Sequence, residues 1–412
     1  MDCVAGCVVG IDFLSVAFMQ THYDIDILII GSGLVGNSLA LAIAKHANVA
    51  IIEKNSLEKI QSFQDDRPLT LSFSSYQILS TLSIWQEIQS QTIPIQQVHV
   101  SEAGHFGAVR FSAKDYDVHA LGYVIPAYLL TQALHHNVLE NRDIQKFYST
   151  TVEKITAFPE GYRVEIKLPH GEMKTLTTKL LVGADGAHSV TRTLLGIAEK
   201  TDISTQIALT ARIALTRSHH NIAYQRFTDQ GVLATLPIGE NEIGMVWSAP
   251  NHLADKLKKL SDADFCTQFQ HVFGYRLGKF SNVEKRQAYP LHSAHALEQI
   301  RPHAVLLGNA AHTLYPIAAQ GFNLSLRDTA VLAQIIMDAM SAGKNPGDFV
   351  ELEKYLHARK KAQLMIQSFT QTVAKGQTAG FLGLEILPFT KDILADYAMG
   401  TADNLKFLSG RH

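Results

Sequence analysis

Asp26-Ile-Leu-Ile-Ile-Gly-Ser-Gly-Leu-Val-Gly-Asn-Ser-Leu-Ala-Leu-Ala-Ile-Ala-Lys45 changes character twice within its length. Residues 27–30 are wholly apolar, the pattern of a parallel strand buried on both faces. Gly31, Gly33 and Gly36 then spell G-x-G-x-x-G, and Leu39, Ala40, Ile43 and Ala44 recur at helical spacing. In such a turn Gly31 makes the bend, Gly33 lets backbone approach a pyrophosphate, and Gly36 allows close helix–strand packing. The phosphates sit at the helix N-terminus, where unpaired N–H groups and the helix dipole favour an anion. Residues 49–52 read as a second strand ending on Glu53, twenty positions after Gly33 and placed to hold an adenosine ribose. The motif alone is weak, since a purely structural Gly-rich turn can look the same. With strand, helix, strand and acid in register it points to a dinucleotide site.

The rest of the chain sets the bounds. At 412 residues it is too long for one compact core. Its 46% apolar and 18% charged residues describe an ordinary globular protein, and a formal charge of −2 offers nothing to nucleic acid. Cys3, Cys7 and Cys266 are too few and too scattered for a disulfide framework and fit a reducing compartment; no metal set is expected. The segment 1–18 has no basic n-region and is broken by Asp12, so it is expected to be a non-essential extension rather than a signal or a membrane span.

Farther along, helices are expected at about 74–88 and 129–139. Strands at 151–168 and 174–182 flank the turn Pro169-His-Gly171. From 203 to 289 alternating runs predict a mostly antiparallel sheet with one helix near 262–273. Long helices follow at 326–340 and 349–373. The expected division is a nucleotide-binding domain over 19–96, 125–202 and 290–345, a second, inserted domain over 97–124 and 203–289, and a C-terminal helical region over 346–412. The apolar, Gly-punctuated tail at 380–408 either covers the nucleotide domain as an ordinary C-terminal helix or docks at a membrane or partner surface.

Two further motifs carry chemistry. Leu180-Leu-Val-Gly-Ala-Asp-Gly-Ala-His-Ser-Val-Thr-Arg192 ends a strand at Asp185-Gly186 and opens a helix near Ser189, which places a carboxylate and a glycine in the ligand crevice of an α/β sheet. An ordinary strand–turn–helix junction is the plainer alternative. Val305-Leu-Leu-Gly-Asn-Ala-Ala-His-Thr-Leu-Tyr-Pro-Ile-Ala-Ala-Gln-Gly-Phe-Asn-Leu-Ser-Leu-Arg-Asp328 delivers Gly308-Asn309 into a loop of small residues that stays short of helix until about Asn323. So long a structured loop is rarely mere connection.

These three motifs, in this order and spacing, resemble the class A flavoprotein aromatic hydroxylases, the group of p-hydroxybenzoate hydroxylase, over residues 24–345. Asp66-Arg67-Pro-Leu-Thr-Leu71, Leu121-Gly-Tyr-Val124 and Gln320-Gly-Phe-Asn-Leu-Ser-Leu-Arg-Asp328 are similar to the ubiquinone-biosynthesis branch. Asn309, where most relatives carry Asp, is similar to the 2-polyprenyl-6-methoxyphenol hydroxylases, and Ala319 departs from a commoner Gly. The resemblance implies an α/β FAD-binding Rossmann-like domain, an inserted, mostly antiparallel substrate domain, and C-terminal helices.

It also implies roles. Gly31, Gly33 and Gly36 would hold the FAD pyrophosphate, Glu53 the adenosine ribose, and Arg67 would lie over the dinucleotide; a surface salt-bridging Arg67 is the alternative. Asp185 and Gly186 would sit near the pyrophosphate, and Gly308 and Asn309 by the ribityl chain or diphosphate. Pro316 would shape the ring face, while Gly321, Phe322 and Asn323 would present N–H groups to the N1–C2 carbonyl edge and stabilise charge on reduced flavin. NAD(P)H is the expected reductant. The implied reaction is hydroxylation of a polyprenylated phenol with O₂ through a flavin C4a-hydroperoxide, in ubiquinone biosynthesis, with complex subunits and peripheral inner-membrane contact from a cytoplasmic location. Tyr289, His292 and His295 are candidates for the base that deprotonates the phenol. A plain NAD(P)-dependent dehydrogenase would share only the first motif. A monooxygenase for another aromatic substrate, or a non-catalytic flavoprotein scaffold, would share all three.

Overall fold

The computed structural model describes residues 23–62, 64–104, 108–315, 320–374, 399–401, 405 and 407. The 1–18 extension, Pro316, Ala318, Ala319 and most of the 380–408 tail lie outside them. The apolar run of the first motif forms the strand Ile25–Ile30, which pairs in parallel with Met173–Gly183 on one side and Val49–Ile52 on the other. Ile144–Phe147 and Ala304–Leu306 extend this parallel sheet at its two ends. Side chains alternate between two cores: Ile27 and Ile29 pack with Leu39, Ile43, Leu134 and Leu326 on the helical face, and Leu28 and Ile30 pack with Val164 and Ile166 on the other. Each fully buried side chain of this size contributes about 1.5–3 kcal/mol.

The second face is covered by strands rather than helices. Thr151–Phe158 and Gly161–Lys167 form a meander with the start of Met173–Gly183, turning at Gly171, whose φ is +86°. The last half of Met173–Gly183 then leaves this meander and enters the parallel sheet, so one strand serves both.

A second sheet of eight strands runs from His312–Thr313 through Phe280–Ala296, Glu199–Leu215, Glu242–Pro250, Gly231–Pro237, Ile222–Thr228 and Gln97–Glu102 to Val109–Ser112. It is antiparallel except where Ile222–Thr228 meets Gln97–Glu102. Its 17-residue strands Glu199–Leu215 and Phe280–Ala296 span the expected boundaries at 202 and 289 and pair only within this sheet. A third, small sheet joins Pro68–Ser72, Gly122–Pro126 and Ile93–Ile95.

Helices differ from expectation in three places. The helix expected over 74–88 breaks into Phe73–Thr81 and Trp85–Ile88, because Ser83 adopts φ +61° and the Ile84 N–H donates back to the Leu79 carbonyl. This is a left-handed helix ending of the kind usually made by Gly. The antiparallel sheet carries two helices, Asn251–Lys259 and Asp262–Phe273, where one was expected. The extra helix buries little beyond Ala254 and Leu257, too few apolar positions to read as a periodic stripe. The third-motif helix begins at Gln320, about three residues early, and runs to Ser341, followed by Phe349–Ala374.

Candidate active site

The three motifs converge on one crevice at the carboxyl ends of the parallel strands. Gly31 has φ +108°, and a Cβ there would lie 2.5 Å from the Ala184 carbonyl oxygen of the second motif. A Cβ on Gly36 would meet the Gly31 carbonyl oxygen at 2.0 Å, so the helix Leu34–Ile43 is seated as closely on its strand as backbone allows. Gly33, between them, has nothing within 4 Å and lines a cavity. A Cβ on Gly308, which has φ +63°, would lie 3.1 Å from a Val35 methyl, so the third motif packs against the glycine-loop helix.

Glu53 closes the loop from the other side. One of its carboxylate oxygens accepts the Ser32 N–H at 2.9 Å; the second accepts the Asn55 backbone N–H at 2.8 Å and side-chain Nδ2 at 2.7 Å. The acid at the end of the second strand therefore fixes the glycine loop as well as standing beside it. Ser32 in turn bonds Asn37 at 2.8 Å, a buried pair that the sequence pattern did not single out.

The cavity measures about 1140 Å³, beyond the ~300–1,000 Å³ of ordinary ligand pockets. At the crevice end it is bounded by Gly33, Gly186, Asn309, Gly321 and Phe322, and it continues against the second sheet, past Val100, Phe227 and Met245. Asn309 sits in a short 3-10 turn, Gly308–Ala310, with its side chain exposed to this space. Gly321 and Phe322 lie in the first turn of the helix Gln320–Ser341, whose leading N–H groups have no acceptor within the helix.

The side chains of several expected residues are engaged within the protein. Asp185 is absent from the cavity wall: its carboxylate accepts Ser189 Oγ at 2.5 Å, Thr191 N at 2.9 Å and Thr191 Oγ1 at 3.0 Å, bracing the short helix Val190–Leu194. The Asn323 side chain is fully committed. Its Oδ1 accepts Ser72 N and Ser75 Oγ at 2.8 and 2.7 Å, and its Nδ2 donates to the Thr70 carbonyl at 2.9 Å. Arg67 lines the rim but pairs with Asp65 through both Nε and Nη2, with its guanidinium 5.8 Å from the Tyr289 ring centroid. Burial pushes the Asp65 carboxyl up, and Arg67 more than reverses it. Tyr289 and His292 line the cavity, whereas His295 stands opposite His312 across paired strands, off the wall.

His312, the end of the third motif, points into the protein. Its Nε2 lies 2.8 Å from Asp328 Oδ2, and Asp328 also accepts Arg359 Nε at 2.6 Å and Gln363 Nε2 at 2.9 Å. This network ties the loop to both C-terminal helices. Its sequence signal was a charged Arg327-Asp328 pair inside an apolar helical stripe.

The residues present suit a large planar cofactor with ribityl and phosphate groups. The Gly33 opening admits backbone-close phosphates. The Thr70 hydroxyl and Gln320 amide oxygen are buried on the cavity wall with no hydrogen-bond partner among the described residues. Such groups cost about 1–3 kcal/mol if left unpaired. A model of the FAD binding domain matches residues 24–366. The chain belongs to that FAD binding domain family.

Relatives refine the class. The chain is 32% identical over 380 residues to the uncharacterized protein slr1300 of Synechocystis, covering 90% of this chain and 91% of that protein. It is 28% identical to the ubiquinone hydroxylase UbiL of Rhodospirillum rubrum, covering 91% and 90%. The solved structure of Pseudomonas aeruginosa PqsL with 2-aminobenzoylacetate superposes with a TM-score of 0.72 at 19% identity, covering 92% of this chain and all of that one, which speaks to fold. The protein is an FAD-dependent monooxygenase of the aromatic hydroxylase family, distantly related to ubiquinone-biosynthesis hydroxylases. Among the described residues no helix is long and apolar enough to cross a membrane.

Proposed function

We propose that this monooxygenase hydroxylates a polyprenylated phenol, of the 2-polyprenyl-6-methoxyphenol type, in ubiquinone biosynthesis, using NAD(P)H as reductant and working in the cytoplasm against the inner membrane. The observation that carries this reading is the size and lining of the cavity. Beyond the crevice it runs between Val98, Val100, Phe111 and Phe227 and the C-terminal helix residues Ile366 and Phe369. Such an apolar lining would suit an isoprenoid chain.

When bound, FAD supplies the activation of O₂. Gly31, Gly33 and Gly36 would seat its pyrophosphate, Glu53 its adenosine ribose, and Asn309 a ribityl hydroxyl. Gly321 and Phe322 would offer backbone N–H donors to the ring edge that gains negative charge on reduction. Arg67, 58% exposed in its pair with Asp65, would close over the dinucleotide from the rim. The apolar wall excludes water from the reacting ring. Tyr289 and His292 are the wall groups able to take the phenol proton.

The test is direct turnover. Purified protein, NADPH and O₂ are supplied with a short-chain prenylated methoxyphenol or its unprenylated parent, and products are read by mass spectrometry. A one-oxygen gain with marked preference for the prenylated phenol is expected. Equal turnover of both, or NADPH oxidation without oxygenated product, would exclude the proposed substrate.

A further inference from the structure

The strand Gln97–Glu102 forms part of the cavity wall. Val98 and Val100 face the cavity, and His99 between them turns to the opposite face, as strand alternation requires. There its ring lies 5.4 Å from that of Tyr224, which packs edge-on against Phe273 of the helix Asp262–Phe273. Sheet register places Arg110 directly opposite His99 and Arg226 beside Ser101. Arg276, just beyond that helix, completes the group.

Arg276 Nη1 donates to Ser101 Oγ at 3.2 Å and stands 3.4 Å from His99 Nδ1. Arg226 Nη1 donates to the same Ser101 Oγ at 3.3 Å, while its Nε donates to the Val272 carbonyl at 3.1 Å. Two guanidinium groups thus converge on one neutral oxygen of a serine that is only 3% exposed. Among the described residues no ion pair involves Arg110, Arg226 or Arg276. By contrast Arg67, Arg192, Arg212, Arg286, Arg301 and Arg359 each hold a carboxylate. Burial, then Arg276, Arg110 and Arg226, lower His99 to about 4, so it stays neutral and its Nδ1 can accept from Arg276.

Three unbalanced guanidinium groups on a chain of net charge −2 are held together against their mutual repulsion. Planar guanidinium forks match tetrahedral oxyanions, and their hydrogen bonds to an anion are about twice as strong as those to a neutral acceptor such as Ser101. We infer that the cluster of Ser101, Arg110, Arg226 and Arg276 beside His99 is a binding site for a phosphate-type dianion at the edge of the cavity, whose wall includes Ser101 and Tyr224. An anion there would touch a strand that itself forms part of the cavity wall.

The test uses the FAD-loaded protein, so that the phosphate-binding glycine loop is already filled. Inorganic phosphate is titrated against chloride at constant ionic strength, with binding read by calorimetry and thermal unfolding. Saturable binding is expected. Arg276→Ala and Arg110→Ala, both at exposed positions, should each weaken it by about tenfold or more, equivalent to ~1.4 kcal/mol, with flavin absorbance unchanged. The source of the phosphate is assigned by two further titrations of wild type and Arg276→Ala. Weakening with NADPH but not NADH identifies a dinucleotide 2′-phosphate, and weakening with phosphatidate but not phosphatidylcholine vesicles identifies a lipid headgroup. Absence of saturable phosphate binding, or equal affinity in wild type and both variants, overturns the site.

Discussion

At the scale of single residues, the glycine loop and Asn309 make opposite demands. Gly36 has no freedom, because a methyl group would sit 2.0 Å from the Gly31 carbonyl oxygen. Gly36→Ala must push the helix off its strand, at about 1–3 kcal/mol. The expected result is a lower melting temperature and a largely colourless protein, checked by thermal unfolding and flavin absorbance. Asn309 is exposed to the cavity and makes no side-chain hydrogen bond among the described residues, so its variants test cofactor contact rather than folding. An amide oxygen keeps the acceptor that a ribityl hydroxyl needs while removing the negative charge of Asp. Asn309→Leu should weaken FAD binding about tenfold, as the loss of ~1.4 kcal/mol implies. Asn309→Asp should keep FAD and lower the flavin reduction potential, because added negative charge disfavours the anionic reduced ring. Fluorescence titration and redox titration read the two effects; unchanged affinity in the Leu variant would place Asn309 away from the cofactor.

Between elements, Asp328 joins the third-motif loop, its own helix Gln320–Ser341 and the helix Phe349–Ala374. Burial pushes its carboxyl up, but Arg359 and the His312 hydrogen bond pull harder and hold it at about 2, against an ordinary 3.8. With the folded-state value depressed, this carboxylate contributes stability that is complete above about pH 4 and is lost as pH falls through about 2. The shift corresponds to roughly 2 kcal/mol, at ~1.4 kcal/mol per unit. Urea unfolding from pH 5 down to the acid limit should show that loss in wild type and a flatter profile in Asp328→Asn. The variant itself leaves Arg359 buried opposite a neutral amide, a change that costs about 3–5 kcal/mol when one charge of a buried pair is removed.

For the whole molecule, the cavity wall is assembled from both sheets and the C-terminal helix. Met365 lines the cavity and is 40% exposed, next to Leu364 at 52%, so this helix carries apolar side chains at the cavity's outer margin. Met365→Glu should fold normally yet raise KM for a prenylated phenol by about tenfold, since a desolvated carboxylate opposes an apolar chain. KM for the unprenylated phenol should change little. Steady-state kinetics on the two substrates checks the split, and equal effects on both would move the chain's path away from Met365.

What local pattern alone determined is the nucleotide crevice. Strand, glycine turn, helix and Glu53 lie within thirty residues of one another, and each obeys a short-range rule of periodicity or backbone freedom. The second and third motifs were legible for the same reason, as strand ends that must open onto the ligand side of a parallel sheet. Partnerships across the chain were not. Ser72 meets Asn323 across 251 positions, and Arg359 meets Asp328 across 31. No periodicity records which polar groups a buried side chain will need, so the clasp made by the Asn323 side chain could not be read beside the role expected of its backbone N–H. Asp185 read as a ligand and braces a helix, because a carboxylate at a strand end serves either purpose until its neighbours are known. The cavity and the arginine cluster belong wholly to tertiary structure: their walls come from strands and helices far apart in the chain, and only packing decides which faces of those elements are left to meet a ligand.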